Sequence, residues 1–203
     1  MSWTVKTFVM LCLWQLQEGA QACSCFARHP QEEFCQAEVV IKATVVGKAD
    51  VVLNHGEEIP GIFNPGVLNV IKYDIKQTEA FKGPEKLFGS VYTASNSAAC
   101  GVNLVNGTEY LISGRLDNNA LLHVYLCDFF QRWEDMSATQ KRGVAQRYQM
   151  GCDCKITRCS SIPCGSSRAE CLWTDFLMGI LFRHFTCIKK RDGSCAWYKE
   201  VAY

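Results

Sequence analysis

The sequence predicts a mainly β protein with flanking helices, built as a small five-stranded barrel of the OB type and followed by a small disulfide-rich C-terminal subdomain. Three observations predict it: five strand-patterned runs between residues 39 and 126, a capped helical pattern after them, and a cysteine distribution that changes character near Asp153. The strand count and spacing suit a β-sandwich equally, and patterning alone leaves both open.

The chain opens with Lys6, an apolar run over 8–16 and the small-x-small site Ala20-Gln21-Ala22. This is the pattern of a secretory signal peptide, 1–22, removed after Ala22. Its apolar core is much shorter than the ~20 residues of a membrane span. An uncleaved anchor is the alternative, and the Ala-x-Ala site argues against it. Lys6 and Glu18 cancel, so the mature chain keeps the net charge of +1, and no polyelectrolyte partner is indicated. Of thirteen cysteines, Cys12 leaves with the signal and twelve remain, an even number. In the oxidising extracellular space such a set is a framework of disulfides rather than of metal ligands, and spacing does not choose among the pairings.

The strand candidates are 39–46, 70–77, 88–94, 110–113 and 121–126. In the second, Ile71, Tyr73 and Ile75 alternate with Lys72, Asp74 and Lys76, one face buried and one wet. Between the first two, 47–69 contains Asn54, Gly56, Pro60, Gly61, Asn64, Pro65 and Gly66 and is expected to be a long hairpin tip. A helix is expected over 137–149: Ser137 and Gln140 have capping-box spacing, Val144 and Tyr148 share a face, and Gly151 supplies the stop. Six cysteines crowd into 154–195, where little apolar area is available and short loops must lean on crosslinks. Asn106-Gly107-Thr108 is an N-glycosylation sequon on a turn.

Enzyme signatures are absent: there is no His-Glu-x-x-His, no Gly-x-Ser-x-Gly and no phosphate-cradling glycine loop. The histidines, His29, His55, His123 and His184, are scattered, and packing or surface roles fit them better than metal ligation. Cys152-x-Cys154 with Cys159-x4-Cys164 lacks the matched pairs of a zinc knuckle. Lys189-Lys190-Arg191 reads as a solvated turn rather than a heparin site. An OB-type nucleic-acid binder fails on compartment and on the missing basic groove. No cofactor of its own is expected.

Signal cleavage would make Cys23 the first residue, giving the start Cys23-Ser24-Cys25. An α-amine and carbonyl oxygen on one residue can close a five-membered chelate on a metal, and a catalytic zinc keeps a position for water that such a chelate could take. The amine, ordinarily titrating near ~7.7–8.0, must be neutral to bind. On spacing alone, two terminal staples account for these cysteines as well.

Cys23-Ser24-Cys25, His29-Pro30-Gln31 and Phe34-Cys35 resemble the opening signature of the tissue inhibitors of metalloproteinases. The likeness continues through Phe81-Lys82-Gly83-Pro84-Glu85, Tyr110-Leu111-Ile112, Leu126-Cys127-Asp128-Phe129, Arg147-Tyr148-Gln149-Met150-Gly151-Cys152, Lys155-Ile156-Thr157-Arg158-Cys159, Glu170-Cys171-Leu172-Trp173 and Asp192-Gly193-Ser194-Cys195-Ala196-Trp197-Tyr198. It covers essentially the whole mature chain.

The resemblance implies a netrin-like inhibitory domain over 23–152 and a C-terminal subdomain over 153–203. It implies the bridges Cys23–Cys100, Cys25–Cys127 and Cys35–Cys152, then Cys154–Cys195, Cys159–Cys164 and Cys171–Cys187. By the same resemblance the protein is a secreted inhibitor of matrix metalloproteinases and related zinc proteases, with the extracellular matrix as a further partner. Cys23 would chelate the protease's zinc in trans, Ser24 would enter the S1′ pocket, and Cys25, Phe26 and Ala27 would run along the primed side. Asn96, Ser97, Ala98 and Ala99, before Cys100, would occupy the unprimed side.

The chain departs from the family's usual proline at Ala27 and small residue at Glu33, and Phe26 is bulky for its place. These departures predict a looser N-terminal segment and altered protease preference. The tip over 47–69 resembles those that some members lay against membrane-type proteases, an expectation that unchanged affinity in a tip deletion would overturn. No acidic tail follows Trp197-Tyr198, so a complex with a progelatinase hemopexin domain is not expected. The competing reading is a non-inhibitory netrin-like module that binds matrix or a receptor.

Overall fold

The computed structural model describes residues 23–54, 57–59, 68–160, 163–165, 167–175 and 179–199. The expected leader, 1–22, and the hairpin-tip residues 55–56 and 60–67, with His55, lie outside them.

Helix α1 (Pro30–Gln36) leads into strands β1 (Val39–Asn54), β2 (Glu57–Ile59), β3 (Leu68–Lys82), β4 (Ser90–Ala94), β5 (Glu109–Leu116), β6 (Leu122–His123) and β7 (Phe130–Arg132). The sheet runs β2-β1-β3-β4-β6-β5-β7, and β1 also pairs with β5. That second pairing closes a ring of five strands, β1, β3, β4, β6 and β5, which is the barrel the sequence predicts rather than a sandwich. All ring pairs are antiparallel except β4 with β6, which meet in parallel at Tyr92 and His123.

Alternation along β1 explains why the ring has two buried sides. Val39, Ile41, Ala43 and Val45 point into the barrel with Tyr73, Ile75, Tyr110 and Ile112. Val40 and Leu111 point the other way, into a second core with Phe34, Met136, Val144 and Tyr148. The helical elements therefore cover the outer wall where β1 and β5 pair.

Much of 47–69, expected as loop, is strand. β1 continues to Asn54 and β3 begins at Leu68, with Val51 opposite Val70 and Lys48 opposite Tyr73. Cross-strand pairing of β-branched and aromatic residues outweighs the scattered breakers there. A bulge between Val45 and Gly47 leaves Val46 without a partner and exposed.

The expected helix at 137–149 is shorter and irregular. Ser137 and Gln140 do form a reciprocal capping box, with Gln140 N donating to Ser137 Oγ at 3.1 Å and Ser137 N to Gln140 Oε1 at 2.9 Å. Helix α2 then spans only Ala138–Arg142 before one π turn (Gly143–Arg147) and one 3-10 turn (Tyr148–Gly151). The widening follows from Tyr148, whose ring packs so close to Gly143 that a Cβ there would lie 2.4 Å from it. Gly151 is not a left-handed stop. It lies where a Cβ would meet the Cys187 carbonyl at 1.9 Å, so the glycine serves close packing.

Helix α1 was not foreseen, because its N-cap is His29, outside the usual Ser/Thr/Asp/Asn set. Its Nδ1 accepts from Gln31 N at 3.3 Å, and Glu32 returns the bond to His29 N at 3.2 Å. Lys82 Nζ donates to the Phe34 and Cys35 carbonyls at 3.1 and 2.7 Å and satisfies the other end.

Beyond Cys152 the chain forms two small sheets, β8 (Lys155–Arg158) parallel to β9 (Glu170–Trp173), and β10 (Phe185–Lys189) antiparallel to β11 (Cys195–Lys199), with helix α3 (Ile180–His184) between. Their core is Cys154, Ile156, Cys171, Trp173 and Cys187, three of the five being bridged cysteines. This core meets α1 through its N-cap, His29, and its second residue, Gln31. Gln31 bonds the Cys187 backbone in both directions, accepting from its N–H at 2.8 Å and donating to its carbonyl at 2.7 Å. His29 Nε2 lies 3.1 Å from the Leu181 carbonyl, its ring edge-on to Trp173 and tilted on Trp197.

Candidate functional site

Residues 23–28 have no regular secondary structure, and Ser24, Cys25 and Phe26 are exposed in succession. Disulfides Cys23–Cys100 and Cys25–Cys127 fix this segment to two others. The bridges lie side by side, with the Sγ atoms of Cys23, Cys100 and Cys127 all within 4.8 Å of one another. Those sulfurs are consumed in disulfides and offer no thiolate to a metal of the protein's own. The other pairs are Cys35–Cys152, Cys154–Cys195, Cys159–Cys164 and Cys171–Cys187, so all six match the pairing that the resemblance implies.

The second segment, exposed over 95–99, is a preformed turn. Asn96 Oδ1 accepts from Ala99 N at 2.9 Å and caps a single 3-10 turn, Ser97–Ala99. Cys100 closes it at φ 66°, a left-handed conformation uncommon for a residue with a Cβ, and Gly101 N donates to the Asn96 carbonyl at 2.9 Å. A Cβ on Gly101 would lie 2.1 Å from the Ala94 carbonyl oxygen and 2.8 Å from that of Asn96. Because both obstacles are backbone, Gly101→Ala is expected to displace the turn and to cost about 1–3 kcal/mol of stability, read by denaturant unfolding. A variant as stable as the parent would contradict this packing.

The third segment was missed at the level of sequence. Tyr125, Leu126 and Cys127 are exposed beside Cys25, and Leu126 N donates to the Cys100 carbonyl at 2.8 Å, joining the second and third segments. Asp128 folds the turn, accepting from Tyr125 N at 2.8 Å, and burial holds its carboxyl above the usual range. The strand pattern over 121–126 puts Tyr125 and Leu126 in a strand, whereas β6 covers only Leu122–His123 and leaves them in the turn. The three segments carry no charged side chain over 23–27, 95–100 and 125–127.

The segment is held beyond its disulfides. Arg28 Nη1 donates to Gln36 Oε1 at 2.9 Å and lies 3.5 Å from a Glu33 carboxylate oxygen, so Glu33 takes part in tying the segment to α1. The Arg158 guanidinium lies over the Phe26 ring, 5.2 Å from its centroid. His29 is fully buried as packing, and burial pushes its pKa down to about 4. His123 is held by Asp117 at 3.1 Å, and His184 is exposed. Asn106 is exposed, next to Gly107 at φ 76°. Lys189 pairs with Asp153 at 3.1 Å. Among the described residues no helix is long and apolar enough to cross a membrane.

The family profile described as "TIMP: Tissue inhibitor of metalloproteinase" matches residues 21–197. The chain is 48% identical over 201 residues to a protein of Cavia porcellus named metalloproteinase inhibitor 2, covering 95% of this chain and 89% of that one. The protein of the same name from Homo sapiens is also 48% identical over 201 residues, with the same coverage. That from Oryctolagus cuniculus is 49% identical over 188 residues, 89% of this chain and 94% of its own. With its disulfide-clamped edge, its five-stranded ring and this extent of likeness, the chain belongs to the tissue inhibitor of metalloproteinase family, whose members are inhibitors and not enzymes.

Proposed function

We propose that the protein is a secreted inhibitor of matrix metalloproteinases and related zinc proteases, acting through a mature N-terminus at Cys23. The observation that carries this is the juxtaposition of the 23–27 segment, exposed at Ser24, Cys25 and Phe26, with 95–100 and 125–127, locked by two adjacent disulfides. The zinc belongs to the protease. Cys23 supplies an α-amine and a carbonyl oxygen to it and displaces the water that would attack a peptide bond. Ser24 enters the S1′ pocket, Cys25 to Ala27 follow the primed side, and Asn96 to Ala99 cover the unprimed side.

Rigidity is the physical basis of affinity in this reading. Disulfides closing spans of 77 and 102 residues leave the segment little conformational freedom to lose on binding. An uncharged edge also avoids stripping water from ions at the interface. Cleavage after Ala22, the division into 23–152 and 153–203, a glycan on Asn106 and residence in the extracellular matrix belong to the same proposal. Titrating an activated matrix metalloproteinase with the oxidised, secreted protein tests it: an equivalence point at one inhibitor per active site is expected. Absence of inhibition overturns the proposal and favours a matrix- or receptor-binding module.

A further inference from the structure

We infer that Arg158, on the C-terminal side of the molecule, is a positioning residue for the inhibitory edge: its guanidinium braces Phe26 and so holds the primed-side segment in its binding conformation. This rests on the inhibitory reading of that edge.

The geometry gives Phe26 few other means of support. The ring is 74% exposed, and it stands between two anchors, the Cys25–Cys127 disulfide and the buried His29. Neither Phe26 nor Ala27 has a ring fixing its φ, so ordering their backbone opposes binding by about 1–2 kcal/mol per residue unless it is done beforehand. Arg28 is held from one side, by Glu33 and Gln36 of α1. Phe26 is held from the other, by Arg158 at 5.2 Å.

Arg158 is itself well placed to act as a brace. It ends β8, opposite Trp173 of β9, and the next residue, Cys159, donates its N–H to the Trp173 carbonyl at 2.9 Å and is bridged to Cys164. Trp173 is buried and its ring meets that of His29 at 5.6 Å. The strand pair that carries Arg158 is thus fixed to the same segment three residues beyond Phe26. A planar cation over an aromatic face is attracted by the ring's quadrupole, and at an exposed site the attraction corresponds to about a two- to fivefold effect on an equilibrium. The C-terminal region, which contributes no residue to the three segments of the edge, thereby takes part in inhibition.

The test is a double-mutant cycle on the full oxidised chain against an activated matrix metalloproteinase, using Arg158→Met, Phe26→Leu and both together. Methionine keeps an apolar stem without charge, and leucine keeps apolar bulk without a π face. Arg158→Met is expected to raise Ki about two- to fivefold more in the parent than in the F26L background. Arg158→Lys should recover part of the loss. Any long-range effect of removing the charge appears equally in both backgrounds, so the coupling isolates the pair. Backbone NMR order parameters of 26–28 in the free protein are expected to fall in R158M while the unfolding midpoint stays that of the parent. Equal fold-changes in the two backgrounds, or unchanged order in R158M, overturn the inference. If the parent itself does not inhibit, the inhibitory reading fails, and the NMR measurement, which involves no protease, still decides whether Arg158 orders the segment.

Discussion

One alanine placed ahead of Cys23 is expected to weaken inhibition of an active matrix metalloproteinase by more than about 100-fold, beyond what losing an outer-shell partner of a metal costs. The α-amine becomes an amide nitrogen, whose lone pair is delocalised and does not ligate zinc. The added residue also stands where the protease's catalytic water would be displaced. The two disulfides make the result sharp, because Cys23 and Cys25 cannot slide to accommodate an insertion. Unfolding midpoint and barrel content should match the parent, since the addition lies outside the fold. Mass spectrometry of the N-terminus alongside the inhibition titration checks both halves. Full inhibition by the extended protein would remove the chelate from the mechanism.

Acid is expected to loosen the junction between α1 and the C-terminal core between about pH 6.5 and 4. His29 is neutral in the folded protein, with its pKa lowered to about 4, first by burial; its contact with the Leu181 carbonyl and the nearby Asp175 carboxylate oppose that shift. The unfolded chain takes up a proton near ~6.5, so stability contributed by the neutral ring is complete above that pH and is lost as pH falls toward 4. The full loss is about 3 kcal/mol, at about 1.4 kcal/mol per pH unit. The other groups at this junction are Asp175, which accepts from Leu181 N at 2.8 Å, and Glu32, which bonds His29 N at 3.2 Å. Burial raises Glu32, Glu33 and Asp128, and raised carboxylates act with the opposite sign, gaining stability as they protonate lower in the window. Denaturant unfolding at pH 7.5, 6 and 5 should show the decline in the parent and a flatter profile in His29→Gln. A parent equally stable at pH 7.5 and 5 would contradict the assignment.

Local patterns carried the fold a long way. Alternation at Ile71, Tyr73 and Ile75 was visible because one face of β3 is wet, and Ser137 with Gln140 announced its cap because both bonds lie within four residues. Features set by distant partners were hidden. The bounds of β1 depend on Leu68 to Tyr73 across the hairpin, the π turn depends on where the Tyr148 ring lies, and Gly151 answers to a carbonyl 36 residues later. At the site, the cysteines gave the frame through resemblance alone, since twelve of them admit thousands of pairings. Tyr125 and Leu126 escaped notice because nothing local distinguishes an exposed apolar pair from a buried one.

The parallel meeting of β4 and β6 at Tyr92 and His123 bears on the order in which the molecule assembles. The ring stays open until residues near 123 arrive, and the partners of Cys23 and Cys25 stand at 100 and 127, on either side of that closure. The earliest part of the described chain to leave the ribosome therefore waits for cysteine partners that emerge 77 and 102 residues later. High sequence separation makes such steps slow, and two free thiols remain open to wrong partners meanwhile. Productive oxidation of the edge should follow barrel closure, so the segment at Cys23 and Cys25 is expected to acquire its shape after the ring.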